Sequence, residues 1–325
     1  MPDLAWSDAP WWLPGGHVQT IWPAFFTTWQ EGDAPAYRRE RWTTPDGDFV
    51  DADWLDADDP QAPLLVLFHG LEGSSRSRYA LSFAQQARQR GWAFVVPHFR
   101  GCSGELNLAP RAYHSGDHAE IDWMLAQAAA RHAGPVLAIG VSLGGNALMR
   151  WAGEAGHQAA RRVRAAAAVC SPLDLAAGGH AIGRGVGRLA YTPMFLRTMK
   201  PKAAAKLAQF PGLFDGRRMM ASRDLYAFDN VFTAPLHGFR DTDDYWARAS
   251  AKPHLRGLRL PALLLNPRND PFVPAASLPL ARDVSPSVER WQPAHGGHVG
   301  FPAGRFPGSS MALADAVTGW LAQHR

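Results

Sequence analysis

Five short apolar-rich runs limit what this chain can fold into: PLLVLFHG (63–70), WAFVVPHFRG (92–101), PVLAIGV (135–141), VRAAAAVCSP (163–172) and LRLPALLLN (258–266). A strand with one wet face alternates polar and apolar residues. A strand that is apolar at successive positions is buried on both faces, as in a parallel sheet covered by helices. Segments of helical spacing stand between the runs: YALSFAQQARQR (79–90), stopped by Gly91, then HAEIDWMLAQAAARHA (118–133) and NALMRWAGEA (146–155). A further strand, SVERWQP (287–293), and a last helix, MALADAVTGWLAQH (311–324), close the pattern, and residues 41–56 read as a β-hairpin turning at Gly47. The expectation is an α/β fold with a mostly parallel central sheet flanked by helices.

The rhythm breaks near residue 173. Roughly eighty residues pass without a buried-strand run, and MFLRTMKPKAAAKLAQF (194–210) within them reads as a helix. We expect residues 1–325 to form a single domain, with 173–257 as a helical cap insertion. Met194, Phe195, Leu196, Met199 and Phe210 are candidates to line an acyl pocket there; packing of the cap onto the main domain is the plainer role for each.

The strongest chemical signal is Gly140-Val141-Ser142-Leu143-Gly144-Gly145, a G-x-S-x-G between a buried strand and a helix. A serine on such a sharp turn projects its hydroxyl from strained backbone, and its neighbours must be small because strand and helix pass close. Ser142 then needs a base, and the base needs an orienting acid. Asp270, beyond the 258–266 strand, and His298, after the last strand, complete the chain order Ser, Asp, His. Asp174, after the 163–172 strand, is the rival acid, and His295 the rival base. The oxyanion donors should be the backbone N–H groups of Leu143 and of Leu71, in His69-Gly70-Leu71-Glu72-Gly73, with His69 fixing the loop. Gly296 and Gly297 would let a short turn carry the imidazole over Ser142.

Other readings are weaker. His114 and His118 share helical spacing, and His295 and His298 form an HxxH, but neither site has the glutamate of HExxH, so no metal is expected. GGHAIGRGVG (178–187) does not directly follow a strand, so no dinucleotide cofactor is expected. The net charge of +4 is spread over the chain, which speaks against nucleic-acid binding. Cys102 and Cys170 are expected as reduced thiols. MPDLAWSDAPWW has no signal-peptide pattern, and no stretch reaches the roughly 18 apolar residues of a membrane span, which together suggest a cytoplasmic protein. Trp11, Trp12, Trp22, Phe25 and Phe26 are expected to pack against the sheet or cap, with transient contact to a membrane surface as the alternative.

Taken together, GHVQTIWP (16–23), HGLEGSS (69–75), FRGCSGE (99–105), YHSGD (113–117), GVSLGGN (140–146), FTAPLHGF (232–239), NPRNDPFVP (266–274) and HGGHVGF (295–301) resemble the α/β-hydrolase superfamily, and more narrowly its YheT-like esterase branch. The resemblance covers nearly the whole length. It implies a Ser142–Asp270–His298 charge-relay triad and hydrolysis of carboxylic esters with short to medium or lipid-like acyl chains. It also implies that YHSGD and FTAPLHGF shape the fold or cap. Acyl transfer to another acceptor on the same triad, and non-catalytic binding of an acyl ligand, are the competing functions.

Overall fold

The computed structural model describes residues 9–26 and 35–325. Residues 1–8, which carry most of the signal-peptide reading, lie outside the described residues.

The chain opens with helix α1 (Gly15–Phe25) and the hairpin β1 (Arg38–Thr43) and β2 (Phe49–Leu55). Next come β3 (Leu64–Phe68), α2 (Arg78–Gln89), β4 (Ala93–Pro97), α3 (His118–Ala129), β5 (Val136–Val141), α4 (Leu143–Ala155), α5 (His157–Arg162) and β6 (Ala165–Val169). A helical segment follows: α6 (Leu175–Ile182), α7 (Gly185–Gln209), α8 (Gly216–Ala221), α9 (Leu225–Val231), α10 (Thr233–Leu236) and α11 (Thr242–Ala249). The sheet resumes with β7 (Ala262–Leu265) and β8 (Val288–Trp291), and α12 (Met311–Leu321) is the last α-helix.

The eight strands lie in the order β1-β2-β4-β3-β5-β6-β7-β8, with β1 and β2 antiparallel to their neighbours and the rest parallel. The apolar runs become two-faced strands as expected. Leu64, Val66 and Phe68 of β3 enter one core, while Leu65 and Leu67 enter the other. α3 and α4 cover the first face, and α2 and α12 pack together over the second. α2 does so with Ala80, Phe83, Ala84 and Ala87, one stripe at helical spacing. The alanine-rich β6 is fully buried between α4 and α12, where small side chains let both layers approach.

Strand order reverses between β3 and β5, because β4 continues on one side of β3 and β5 on the other. That reversal opens a crevice at the carboxyl ends of the strands, where open α/β sheets bind ligands. The loops after β3, β5, β7 and β8 all emerge along this edge. The helical segment ends near Ala249, and no strand occurs between β6 and β7.

Candidate active site

Ser142 sits between β5 and α4 with φ 52° and ψ −118°, a left-handed backbone that an L-residue adopts at a cost of about 1–3 kcal/mol. Its N–H donates to Val169 O (2.8 Å), and its carbonyl accepts from the N–H groups of Gly145 (3.0 Å) and Asn146 (3.2 Å), which starts the helix. Close approach explains the glycines. A Cβ on Gly144 would stand 2.4 Å from Phe68 O, and one on Gly145 1.8 Å from Ser171 Oγ. Among the described residues, five non-glycine residues have positive φ: Glu72, Ser142, Cys170, Val299 and Phe301. All five lie in the loops around Ser142, so the strain of the backbone is concentrated at this edge.

His298 Nε2 is 3.0 Å from Ser142 Oγ, and His298 Nδ1 is 2.9 and 3.1 Å from the two Asp270 carboxylate oxygens. Asp270 is buried and its Oδ1 also accepts from the N–H groups of Phe272 (2.7 Å) and Val273 (3.2 Å). A carboxylate so held accepts a hydrogen bond from Nδ1–H, which keeps the proton on that nitrogen and leaves Nε2 as a lone-pair acceptor toward the serine hydroxyl. The Phe272 ring covers the imidazole at 4.1 Å between centroids.

α1 clamps both loops. The Thr20 hydroxyl donates to Gly16 O (2.7 Å), which turns its lone pair to the His298 N–H (2.8 Å). Gln19 Oε1 accepts from Asn269 Nδ2 (2.8 Å) and the Gly296 N–H (3.0 Å), while Asn269 Oδ1 accepts from the Gly297 N–H (3.0 Å). The fit is close enough that a Cβ on Gly300 would lie 1.8 Å from Gln19 O. Sequence reasoning named the GHVQTIWP segment but gave Gln19 and Thr20 no role. Two adjacent polar residues on a helix with no charged side chain and an apolar second half were the available signal.

On the opposite wall the backbone donors divide. The Gly70 N–H donates to Tyr79 Oη (2.9 Å) and the Glu72 N–H to Tyr113 Oη (3.0 Å). Between them, the Leu71 N–H has no hydrogen-bond partner among the described residues, and neither has the Leu143 N–H at the start of α4. His69 holds this loop: Nε2 accepts from the Phe99 N–H (3.1 Å), so the proton resides on Nδ1 and is donated to Gly70 O (2.8 Å). Complete burial drives its pKa down to about 3, so the ring is neutral. Glu72 in turn meets Tyr113 Oη (2.9 Å) and Lys202 Nζ of α7 (2.9 Å), tying the helical segment to the loop.

Two cavities meet at Ser142. One runs under the helical segment past Leu71, Phe195, Met199, Phe228 and Phe232 to buried Asp229. The other opens between α1, α2 and α12 past Thr20, Tyr79, Met194 and His298. Of the residues expected to line an acyl pocket, Phe195 and Met199 face the first cavity and Met194 the second. Leu196 instead belongs to a core inside the helical segment, with Met219 and Phe228. Phe210 caps α7 beneath Lys206.

The rival residues stand elsewhere. Asp174 caps α6, its carboxylate accepting from the Ala177 N–H (3.1 Å), and His295 is exposed. His114 Nδ1 accepts from the Gly116 N–H and His118 Nδ1 meets Gly116 O, so both rings serve the turn before α3. Among the described residues, one group of three potential metal-ligating atoms lies within 4.8 Å: those of Cys170, Asp270 and His298. There both imidazole nitrogens already face Asp270 and Ser142. Cys170, read from the sequence only as a reduced thiol, stands beside Asp270 and accepts from the Val299 N–H (3.2 Å). Burial pushes its thiol pKa well up. Both cysteines are free. The aromatic expectation fails in part: Trp12 and Trp22 are half-buried, but Trp11, Phe25 and Phe26 are exposed, even though the Phe26 ring meets Trp22 at 4.5 Å.

Residues 63–304 match the family model of the α/β hydrolase fold. YheT of Escherichia coli (strain K12), whose name proposes an esterase, is 38% identical across 94% of this chain and 89% of its own. Phospholipase ABHD3 of Mus musculus is 29% identical across 83% of this chain and 68% of its own. Among solved structures, the α/β hydrolase GrgF from Penicillium sp. sh18 superposes with a TM-score of 0.62 at 14% identity, covering 89% of this chain and 99% of its own. That likeness concerns the fold alone.

Proposed function

The chain belongs to the α/β-hydrolase family, and on that premise we propose that it hydrolyses carboxylic esters of short- to medium-chain or lipid-like acyl groups through an acyl-enzyme. Ser142 is the nucleophile, His298 the general base and Asp270 its orienting partner. His298 Nε2 takes the hydroxyl proton as Ser142 Oγ attacks the ester carbonyl. The negative charge on the carbonyl oxygen is met by the N–H groups of Leu71 and Leu143. Collapse breaks the ester C–O bond, His298 gives its proton to the leaving alkoxide, and a water then repeats the sequence on the acyl-serine to release the acid.

The observation that carries this reading is the line of hydrogen bonds from Ser142 through His298 to Asp270. The unpartnered Leu71 and Leu143 N–H groups support it. α6 to α11 are the proposed cap, with the apolar cavity beneath them holding the acyl chain. An ester or lipid substrate also fits the phospholipase name of the mouse relative.

The test is turnover of p-nitrophenyl esters of increasing chain length, with fluorophosphonate labelling of the folded protein. Ser142→Ala should lose labelling and about a million-fold in kcat at most. A folded Ser142→Ala protein that keeps near wild-type turnover sinks the assignment. His298→Ala should be as damaged and His295→Ala close to wild type; the reverse pattern moves the base to His295.

A further inference from the structure

We propose that the mouth of the active site docks on an anionic lipid surface through the exposed faces of α1 and α7. Two apolar stripes carry the inference. On α1, Val18, Ile21 and Phe25 are exposed at helical spacing, with Phe26 just beyond the helix end. On α7, Val186, Leu189, Ala190, Pro193 and Met194 are exposed along one face. Seven of the thirteen large apolar side chains exposed among the described residues stand on or beside these two helices, Phe25 at 65% and Leu189 at 81% exposure. Contiguous apolar surface of this kind marks an interaction site.

The stripes are neighbours. His17 Nδ1 of α1 meets Tyr191 Oη of α7 at 3.0 Å, and Ile21, Phe25, Tyr191 and Met194 line one shared groove. The same four residues border the cavity that reaches Ser142 and His298. A protein seated on this face would plug that cavity. A lipid surface would cover the stripes and supply ester at the opening.

Charge points the same way. Neither helix contains an Asp or Glu. Arg197 lies within the α7 stripe and lines the shared groove, and Arg184 stands at the helix start; neither has an ion pair among the described residues. An apolar face flanked by unpaired arginines is the arrangement that seats a helix at an anionic headgroup layer.

Delivery of substrate rests on the hydrolase reading, but docking does not, so the test is binding. The full chain is sedimented with vesicles of phosphatidylcholine alone and of phosphatidylcholine with about one third phosphatidylglycerol. Wild type and Ser142→Ala should bind the anionic vesicles equally, about tenfold or more tighter than neutral ones, with the difference falling as salt is raised. Leu189→Glu and Arg197→Glu, each at an exposed position outside both cavities that reach Ser142, should each weaken binding about fivefold to tenfold. Turnover of soluble p-nitrophenyl acetate and the melting temperature should be unchanged in both. Failure of the wild type to bind, or equal binding by Leu189→Glu, overturns the proposal. A wild-type dimer that Leu189→Glu dissociates also overturns it, since the face then belongs to a second copy.

Discussion

Besides Asp270, the residue that bears most directly on the proposed base is Thr20, which meets the main chain of His298 rather than its ring. Its hydroxyl oxygen holds the His298 main chain, and its hydrogen is committed to Gly16 O. Thr20→Val keeps the shape and deletes the acceptor, leaving a part-buried N–H unpaired at a cost of about 1–3 kcal/mol. We expect kcat to fall about tenfold to a hundredfold with KM little changed, and Thr20→Ser to restore it. A merely structural role would lower the melting temperature without that kcat-specific loss and rescue. Gly145 is as exacting for a different reason: the 1.8 Å approach to Ser171 Oγ leaves no room for a methyl group. Gly145→Ala should displace the turn and be defective in both folding yield and fluorophosphonate labelling. The sequence stated the like constraint for Gly140 and Gly144, the glycines of G-x-S-x-G, while Gly145 stands one position beyond the motif. The Thr20 constraint was not legible there, because a single hydroxyl serving a loop 278 positions away leaves no local pattern.

At the scale of elements, the helical segment shows where sequence patterns mislead. The reading began its long helix at residue 194, whereas α7 starts at Gly185 and carries Pro193 and Pro201 inside it. Proline and glycine ordinarily punctuate a helix. Here the neighbouring packing of Tyr191 and Leu196 outweighs the local cost. The apolar runs of β3 to β7 were readable because burial on both faces leaves no polar position to confuse the period. Lys202 couples this segment to the proposed oxyanion loop through Glu72, so a double-mutant cycle of Lys202→Met and Glu72→Gln should show a coupling energy near 1 kcal/mol. Independent effects on melting would remove that link. Asp229, at the far end of the first cavity, accepts from Thr233 Oγ1 (2.6 Å) and Trp246 Nε1 (2.9 Å). Burial raises its carboxyl to about 6. The folded state therefore holds this proton more tightly than the unfolded chain does. Its contribution is complete below about pH 4 and is lost as pH rises through about 6, a change of roughly 2–3 kcal/mol. Asp229→Asn mimics the neutral acid, so its stability relative to wild type should improve across that window in denaturant titrations. A constant difference from pH 4 to 7 would contradict the shift.

For the whole molecule, the two cysteines make a simple gauge of integrity. Both are buried, with the Cys102 thiol pushed up to about 12 and Cys170 also raised, in each case by burial first. Neither should react with a disulfide reagent at pH 8 until the protein unfolds, when both should titrate together. Rapid modification of one thiol in the native protein would show local opening. The mostly parallel sheet flanked by helices follows from the strand and helix succession. The union of α1 with the far loops does not, since only tertiary contacts connect them. That union has a consequence for assembly in time. Gln19 and Thr20 secure residues 277 and 278 positions further along, so the parts of the site are among the most distant in the chain to be joined. Contacts of such separation form late, after the entropy of the intervening loop has been lost. In refolding, backbone ellipticity should therefore return first, and labelling of Ser142 should follow as a distinct, slower event.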